Sequence, residues 1–271
     1  MLLLQHPLSP YAQKVRIALR EKGQSFEARL PTRPAPGQSG DETAVTPRAE
    51  FPVLINGNIR IFDSTIILQY IEDAFPDPPL LPIGPAERAR ARMIEEICDT
   101  HYEAINWGLS EVRFFGRGGT SLGPKLREQG IEQIRHIHTW LSQQLGDRTW
   151  FDGDRFGWSD LSVAPYVATS STHDVPAAPN TALHAWFDRV MQRPSVAATI
   201  EEARAALPAM VGVAERLRRG EFKRQYRDHR LEWMIRSGGM NVVLDGIANN
   251  DIRFTDTERF LTHGIFSGAN Q

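Results

Sequence analysis

The sequence predicts two unlike parts in tandem, a small α/β unit followed by a larger all-α unit. Three observations predict it. Up to about residue 76, short β-type runs alternate with helical patterns. Between residues 75 and 85 prolines crowd the chain, which ends a helix and reads as a linker. Beyond the linker nearly every apolar residue follows a 3.6-residue period. At 271 residues the chain is also long for one domain, since about 150 residues is usual.

Residues 2–5 form the first strand and residues 10–22 the first helix. Pro10 falls in its first turn, where a missing N–H costs nothing. Val15, Ala18 and Leu19 give it an apolar stripe, and Gly23 sits where a helix ends. Residues 26–30 are the second strand. Residues 31–50, rich in Pro, Gly, Thr and Ser, hold little regular structure beyond one short helix. Strands over 53–55 and 59–62 are joined by Asn56-Gly57-Asn58, a hairpin signal because Asn and Gly tolerate positive φ. Asp63 and Ser64 open the next helix, with Ile66, Ile67, Tyr70, Ile71 and Ala74 at helical spacing. After the linker, helices are predicted over 86–115, 124–145, 158–172, 181–192, 195–206 and 208–219.

Apolar residues make up 41% and charged residues 24%, which supports a buried core and excludes a disordered chain. The balance of 31 basic against 33 acidic side chains gives a net charge of -2, no overall field for nucleic acid or anionic lipid. The single cysteine, Cys98, excludes a disulfide framework, a Cys-rich zinc site and a CxxC pair, and reads as a buried structural thiol. The N-terminal apolar run is too short for a signal peptide, and no stretch approaches the ~18 apolar residues of a membrane helix. The expectation is a cytoplasmic protein with no membrane partner. His136 and His138 are two apart on a helix and face different ways, so no metal is expected. The basic run at 216–219, with Lys223 and Arg224, reads as a solvated helix end.

Three features carry chemistry. Ser9 precedes Pro10 and Tyr11 at the start of the first helix, either as an N-cap or as a hydroxyl donor beside the helix dipole, where it would lower a thiol's pKa. Phe51-Pro52-Val53 opens a strand, with a trans proline favoured by base rates and a cis proline offering a backbone edge to a ligand. Asp63-Ser64 opens a helix, either as an N-cap pair or as a site for both charges of an α-amino acid.

Taken in order, Ser9-Pro10-Tyr11 with Val15-Arg16-Ile17-Ala18-Leu19, then Phe51-Pro52-Val53-Leu54, then Asp63-Ser64 with Ile67 and Tyr70, resemble the cytosolic glutathione transferases. The form is most similar to the serine-type members, among them the plant tau class and bacterial relatives, and covers roughly residues 1–215. The resemblance implies a thioredoxin-like α/β domain (1–76) that binds glutathione. An all-α helical-bundle domain (86–220) would carry the hydrophobic-substrate site. It implies Ser9 facing the glutathione sulfur, Pro52 in cis with Phe51 and Val53 beside it, and Asp63 and Ser64 at the γ-glutamyl end. Tyr11, Tyr102, Trp107 and Phe114 would line the substrate pocket, with core packing the commoner fate of such aromatics. Glutathione would be cosubstrate to a hydrophobic electrophile, in a homodimer, with no metal and no nucleic acid.

The chain departs from the family pattern in three places. Glu50 stands where tau-like members often carry lysine, leaving Arg33 or Arg48 as candidates for the glycyl carboxylate. Gly157 stands three residues before Asp160 in place of Ser or Thr, which predicts a weakened helix start. The extension over 221–271 lies beyond the usual end of the family. Its Leu231, Trp233, Met234, Val242, Val243 and Leu244 suit packing on the helical domain or a partner subunit, which would cover the substrate cleft, wrap the other subunit or stiffen the domain.

Overall fold

The computed structural model describes residues 1–32, 42, 46, 50–222, 224, 226, 228–252 and 257–262. Arg33 and Arg48 lie outside the described residues. The N-terminal part is a four-stranded mixed sheet in the order β2-β1-β3-β4. Its strands are β1 (Leu2–Leu4), β2 (Glu27–Arg29), β3 (Val53–Asn56) and β4 (Ile59–Phe62). β1 runs parallel to β2 and antiparallel to β3, which runs antiparallel to β4. Helix α1 (Pro10–Glu21) makes the crossover that a parallel pair requires, and α2 (Ser64–Ala74) follows the hairpin. Leu3 stands opposite both Ala28 and Leu54. Leu3 and Leu54 share a core with Val15, Ile67 and Ile71. In the hairpin turn only Gly57 takes positive φ, 58°. Glycine at the first central position suits a type II′ turn, so Asn56 remains in β3.

The helical part comprises α3 (Pro85–Ile97), α4 (Glu103–Arg113), α5 (Gly119–Leu145), α6 (Trp158–Thr172), α7 (Ala182–Val190), α8 (Pro194–Ala206) and α9 (Val213–Arg218). The single helix expected over 86–115 is interrupted by one π turn, Cys98–Tyr102. Buried positions there run Ile94, Cys98, Tyr102, Asn106. Steps of four drift off a 3.6 period, and one wide turn restores the phase. Helix α5 starts at Gly119 and carries Pro124 inside it, at the cost of one helical hydrogen bond. Gly118 precedes it at φ 80°, and a Cβ there would lie 2.8 Å from the Gly123 nitrogen, so only glycine closes this turn. The helix expected over 208–219 is split by Gly212, at φ 78°.

The start of α6 corrects the expectation of weakness. Gly157 has no capping side chain, but Asp152 accepts from Ser159 N at 2.9 Å in its place. Asp160 accepts from Phe151 N, Gly157 N and Trp186 Nε1 at 3.0, 3.0 and 2.7 Å. A Cβ on Gly157 would stand 2.7 Å from the Asp152 carboxylate and 2.8 Å from the Leu80 carbonyl. The glycine is thus required by its neighbours, and the lost cap is supplied from Asp152.

Residues after 220 add α10 (His229–Arg236), α11 (Met240–Ala248) and a 3₁₀ turn, Thr257–Leu261. That last turn packs on α5, with the Phe260 ring 5.7 Å from Trp140 and 5.3 Å from His101. Among the residues expected to pack, Leu231, Trp233, Val242 and Leu244 are exposed, while Met234 and Val243 are half-buried. Among the described residues, no helix is long and apolar enough to cross a membrane.

Candidate functional site

Ser9 occupies the N-cap position of α1 with extended backbone, φ -78° and ψ 117°. Its carbonyl accepts from Ala12 N and Gln13 N, each at 3.0 Å. Its hydroxyl makes no capping bond. The position of a cap is filled while, among the described residues, the hydroxyl has no hydrogen-bond partner at the positive end of the helix dipole, and Ser9 lines the large cavity described below.

The Phe51-Pro52 bond is cis. Val53 begins β3 opposite Leu4 and Phe62 and is fully buried. Asp63 opens α2 with φ 72°, an uncommon backbone for a residue other than glycine and one that Asp tolerates better than most. Its Oδ1 accepts from Thr65 N at 3.0 Å and Ile66 N at 3.3 Å, so Asp63 does act as a cap. Ser64 beside it is buried. Phe51, Pro52, Val53, Asp63 and Ser64 do not line the large cavity.

A buried ionic group joins the starts of α1 and α2 to the helical part. The Lys14 ammonium, fully buried, pairs with Asp99 and with Glu95 at 2.5 Å, and lies 3.3 Å from Thr65 Oγ1. Thr65 in turn donates to Glu95 at 2.8 Å. Trp158 Nε1 donates to Glu95 at 2.5 Å and the Tyr166 hydroxyl to Asp99 at 2.7 Å. Burial alone would lower the Lys14 pKa, but Asp99 and Glu95 outweigh it and hold the ammonium charged, above the ordinary lysine range. The sequence signal was present though unread: Lys14 shares its helix face with Tyr11 and Ala18, and a lysine on a buried face needs partners.

The large cavity, about 1210 Å³, lies between the start of α1, helix α4 and the extension. It brings together Ser9, Tyr11, Trp107 and Phe114. The Tyr11 hydroxyl donates to the Asp99 carbonyl at 2.6 Å. Trp107 meets Tyr226 edge-on at 4.6 Å, and Phe114 stands 6.1 Å from His173. Tyr102 does not belong to this lining. It is fully buried, its hydroxyl bonded to His138 Nε2 at 2.5 Å and Ser170 Oγ at 2.8 Å, because the π turn aims it between α5 and α6.

Other lining residues were not anticipated. Gln13 Oε1 and Asn106 Oδ1 are buried acceptors without a partner among the described residues. The His6 imidazole is pushed below its ordinary pKa by burial and by the Arg224 charge. Arg224 is not the solvated residue expected of a basic run: its Nε donates to Glu111 at 2.6 Å.

Family comparison agrees with this geometry. Residues 3–79 match the glutathione S-transferase N-terminal domain and residues 124–189 the C-terminal domain. A glutathione S-transferase of Arabidopsis thaliana, U28, is 30% identical over 72% of this chain and 86% of its own. A stringent starvation protein A homolog of Coxiella burnetii is 27% identical over 79% of this chain and 97% of its own. A solved Methylobacterium radiotolerans glutathione S-transferase, in complex with glutathione sulfonate, is 31% identical with a TM-score of 0.60, over 73% of this chain and 93% of that one. With both halves of the fold matched in sequence and in shape, the chain belongs to the glutathione S-transferase family.

Proposed function

We propose that the protein is a glutathione transferase that turns the glutathione thiol into a thiolate and directs it at a hydrophobic electrophile. The observation that carries this reading is the uncommitted Ser9 hydroxyl at the start of α1, opening onto an apolar cavity. A glutathione thiol with a pKa near ~8.5 is mostly protonated at neutral pH. The Ser9 hydroxyl donates to the sulfur and the helix end adds its dipole, each favouring the thiolate as the proton leaves to solvent. The sulfur then forms a bond to an electrophilic carbon, with loss of the leaving group or opening of a ring. Holding both reactants together supplies much of the rate. Ser9 acts as donor and not as nucleophile.

Phe51, Pro52 and Val53 would carry the cysteinyl part through the backbone. Asp63 and Ser64 would take the γ-glutamyl end, and Tyr11, Trp107 and Phe114 the electrophile. Glutathione sulfonate bound to the Methylobacterium relative supports this family of ligands. The same reading divides the chain at 1–76, 86–220 and 221–271, and includes a cytoplasmic homodimer with a detoxifying role.

A second reading is a non-catalytic scaffold or ligand-binding protein of the same fold. It is favoured by the similarity to a stringent starvation protein over nearly all of that relative, since fold alone does not fix function. Calorimetric titration with glutathione decides between them. Binding in the micromolar-to-millimolar range, lost in Asp63→Ala and Ser64→Ala, is the expected result. No binding at several millimolar to folded protein removes the transferase reading.

A further inference from the structure

One wall of the cavity comes from the extension, through Phe222, Arg224, Tyr226, Leu231 and Ile235. It is pinned to the end of α4: Arg224 bonds Glu111, Tyr226 meets Trp107, and the Phe222 ring stands 6.3 Å from Phe115. The Arg224 guanidinium carbon lies over this aromatic bed, 4.0 Å from the Phe115 ring centre and 5.8 Å from that of Trp107. Among the described residues its two terminal nitrogens have no hydrogen-bond or ion-pair partner.

The local charge is positive. Glu111 is shared with Arg117, at 3.6 Å, so one carboxylate faces two guanidinium groups. Among the described residues, four arginines line the cavity, Arg204, Arg216, Arg224 and Arg236, against the three acids Glu103, Asp228 and Glu232. The Arg224 charge also reaches His6, whose carbonyl accepts from Ser9 N at 2.9 Å. Arg224 therefore looks into the same space as the uncommitted hydroxyl.

We propose that Arg224 anchors an anionic group on the acceptor, so that the cavity selects aromatic acids over neutral aromatics. A guanidinium with both terminal nitrogens available offers two parallel donors, the geometry that a carboxylate or sulfonate accepts. Phe115, Trp107 and Tyr226 supply faces and edges for a ring. This assignment rests on reading the cavity as the acceptor site.

The test uses full-length protein and two fluorescent ligands that differ by one charged group, anilinonaphthalene sulfonate and neutral phenylnaphthylamine. Arg224→Gln is expected to weaken the sulfonate about tenfold and to leave the neutral ligand nearly unchanged. Arg224→Lys recovers part of the loss. Glu111→Gln keeps the guanidinium, removes the competing carboxylate, and binds the sulfonate at least as tightly as the parent. Equal loss of both ligands in Arg224→Gln means a collapsed wall and overturns the proposal, as does unchanged sulfonate affinity. Glutathione is titrated against the same proteins. A loss of glutathione affinity as large as that for the sulfonate reassigns Arg224 to the cosubstrate and also overturns it. Failure of the parent to bind glutathione removes the transferase reading, while the ligand pair still decides the anion anchor.

Discussion

Ser9 and Asp63 both stand at helix starts in the α/β part, and they spend their side chains differently. Asp63 turns its carboxylate back on Thr65 N and Ile66 N, and holds a left-handed backbone to do so. Ser9 leaves its hydroxyl out of the helix and relies on Pro10, at a position that needs no amide, to begin it. A side chain already committed to its own helix has a structural reason to be there. One that is free at the positive end of a helix, facing a cavity, has chemistry as its remaining use. The contrast makes Ser9 the residue whose loss should cost function without stability, and Asp63 the one whose loss costs both.

The strongest test of the contrast removes what holds the two helix starts in place. Lys14→Met leaves Glu95 and Asp99 buried without their cation, and chemical denaturation should show about 3–5 kcal/mol less stability. If stability were kept, the ionic group would not be what joins α1 and α2 to the helical part.

Acid probes the fold away from both helix starts. Burial lowers the His138 pKa from 6.5 to about 4. A histidine kept neutral by folding contributes stability that is whole above pH 6.5 and is lost as pH falls through the folded value. Across that window the parent should lose about 3 kcal/mol more than His138→Gln, at roughly 1.4 kcal/mol per unit. Parallel pH profiles for the two proteins would exclude His138 as the origin.

Ser9→Ala should lower transferase turnover about 100-fold, the scale of losing one donor to a developing anion, with an unchanged denaturation midpoint. A large stability loss would return Ser9 to the role of a cap.

The smallest effect sharpens the other side. Asp63→Ala should cost about 1 kcal/mol of stability as a lost cap together with glutathione affinity. Asp63→Asn keeps an acceptor and a residue tolerant of positive φ, so it should keep stability and lose affinity only. Equal glutathione affinity in Asp63→Asn and the parent would leave Asp63 as a cap alone.

The parts of the molecule that were legible in the sequence lie at element ends. Pro10, Gly57 and Asp63 act through rules of a few residues, and the strands and helices around them fall where those rules put them. Contacts across the chain were not legible. Arg224 meets a carboxylate 113 positions away, and a basic run gives no hint of it. Tyr102 depended on the phase of a helix that contains a π turn, and one extra residue per turn moved it from the cavity into the core. Gly157 resembled a defect until Asp152 and Leu80 were seen to occupy the space of its missing side chain. The uncommitted state of the Ser9 hydroxyl is a matter of geometry that no composition or spacing carries.

The most direct measurement is the ultraviolet thiolate absorbance of glutathione bound to the parent and to Ser9→Ala, followed against pH. The account predicts thiolate on the parent at pH 7, below the ordinary thiol range of about 8.5, and its return toward that range in Ser9→Ala with glutathione still bound. Glutathione held as the neutral thiol by both proteins would contradict it.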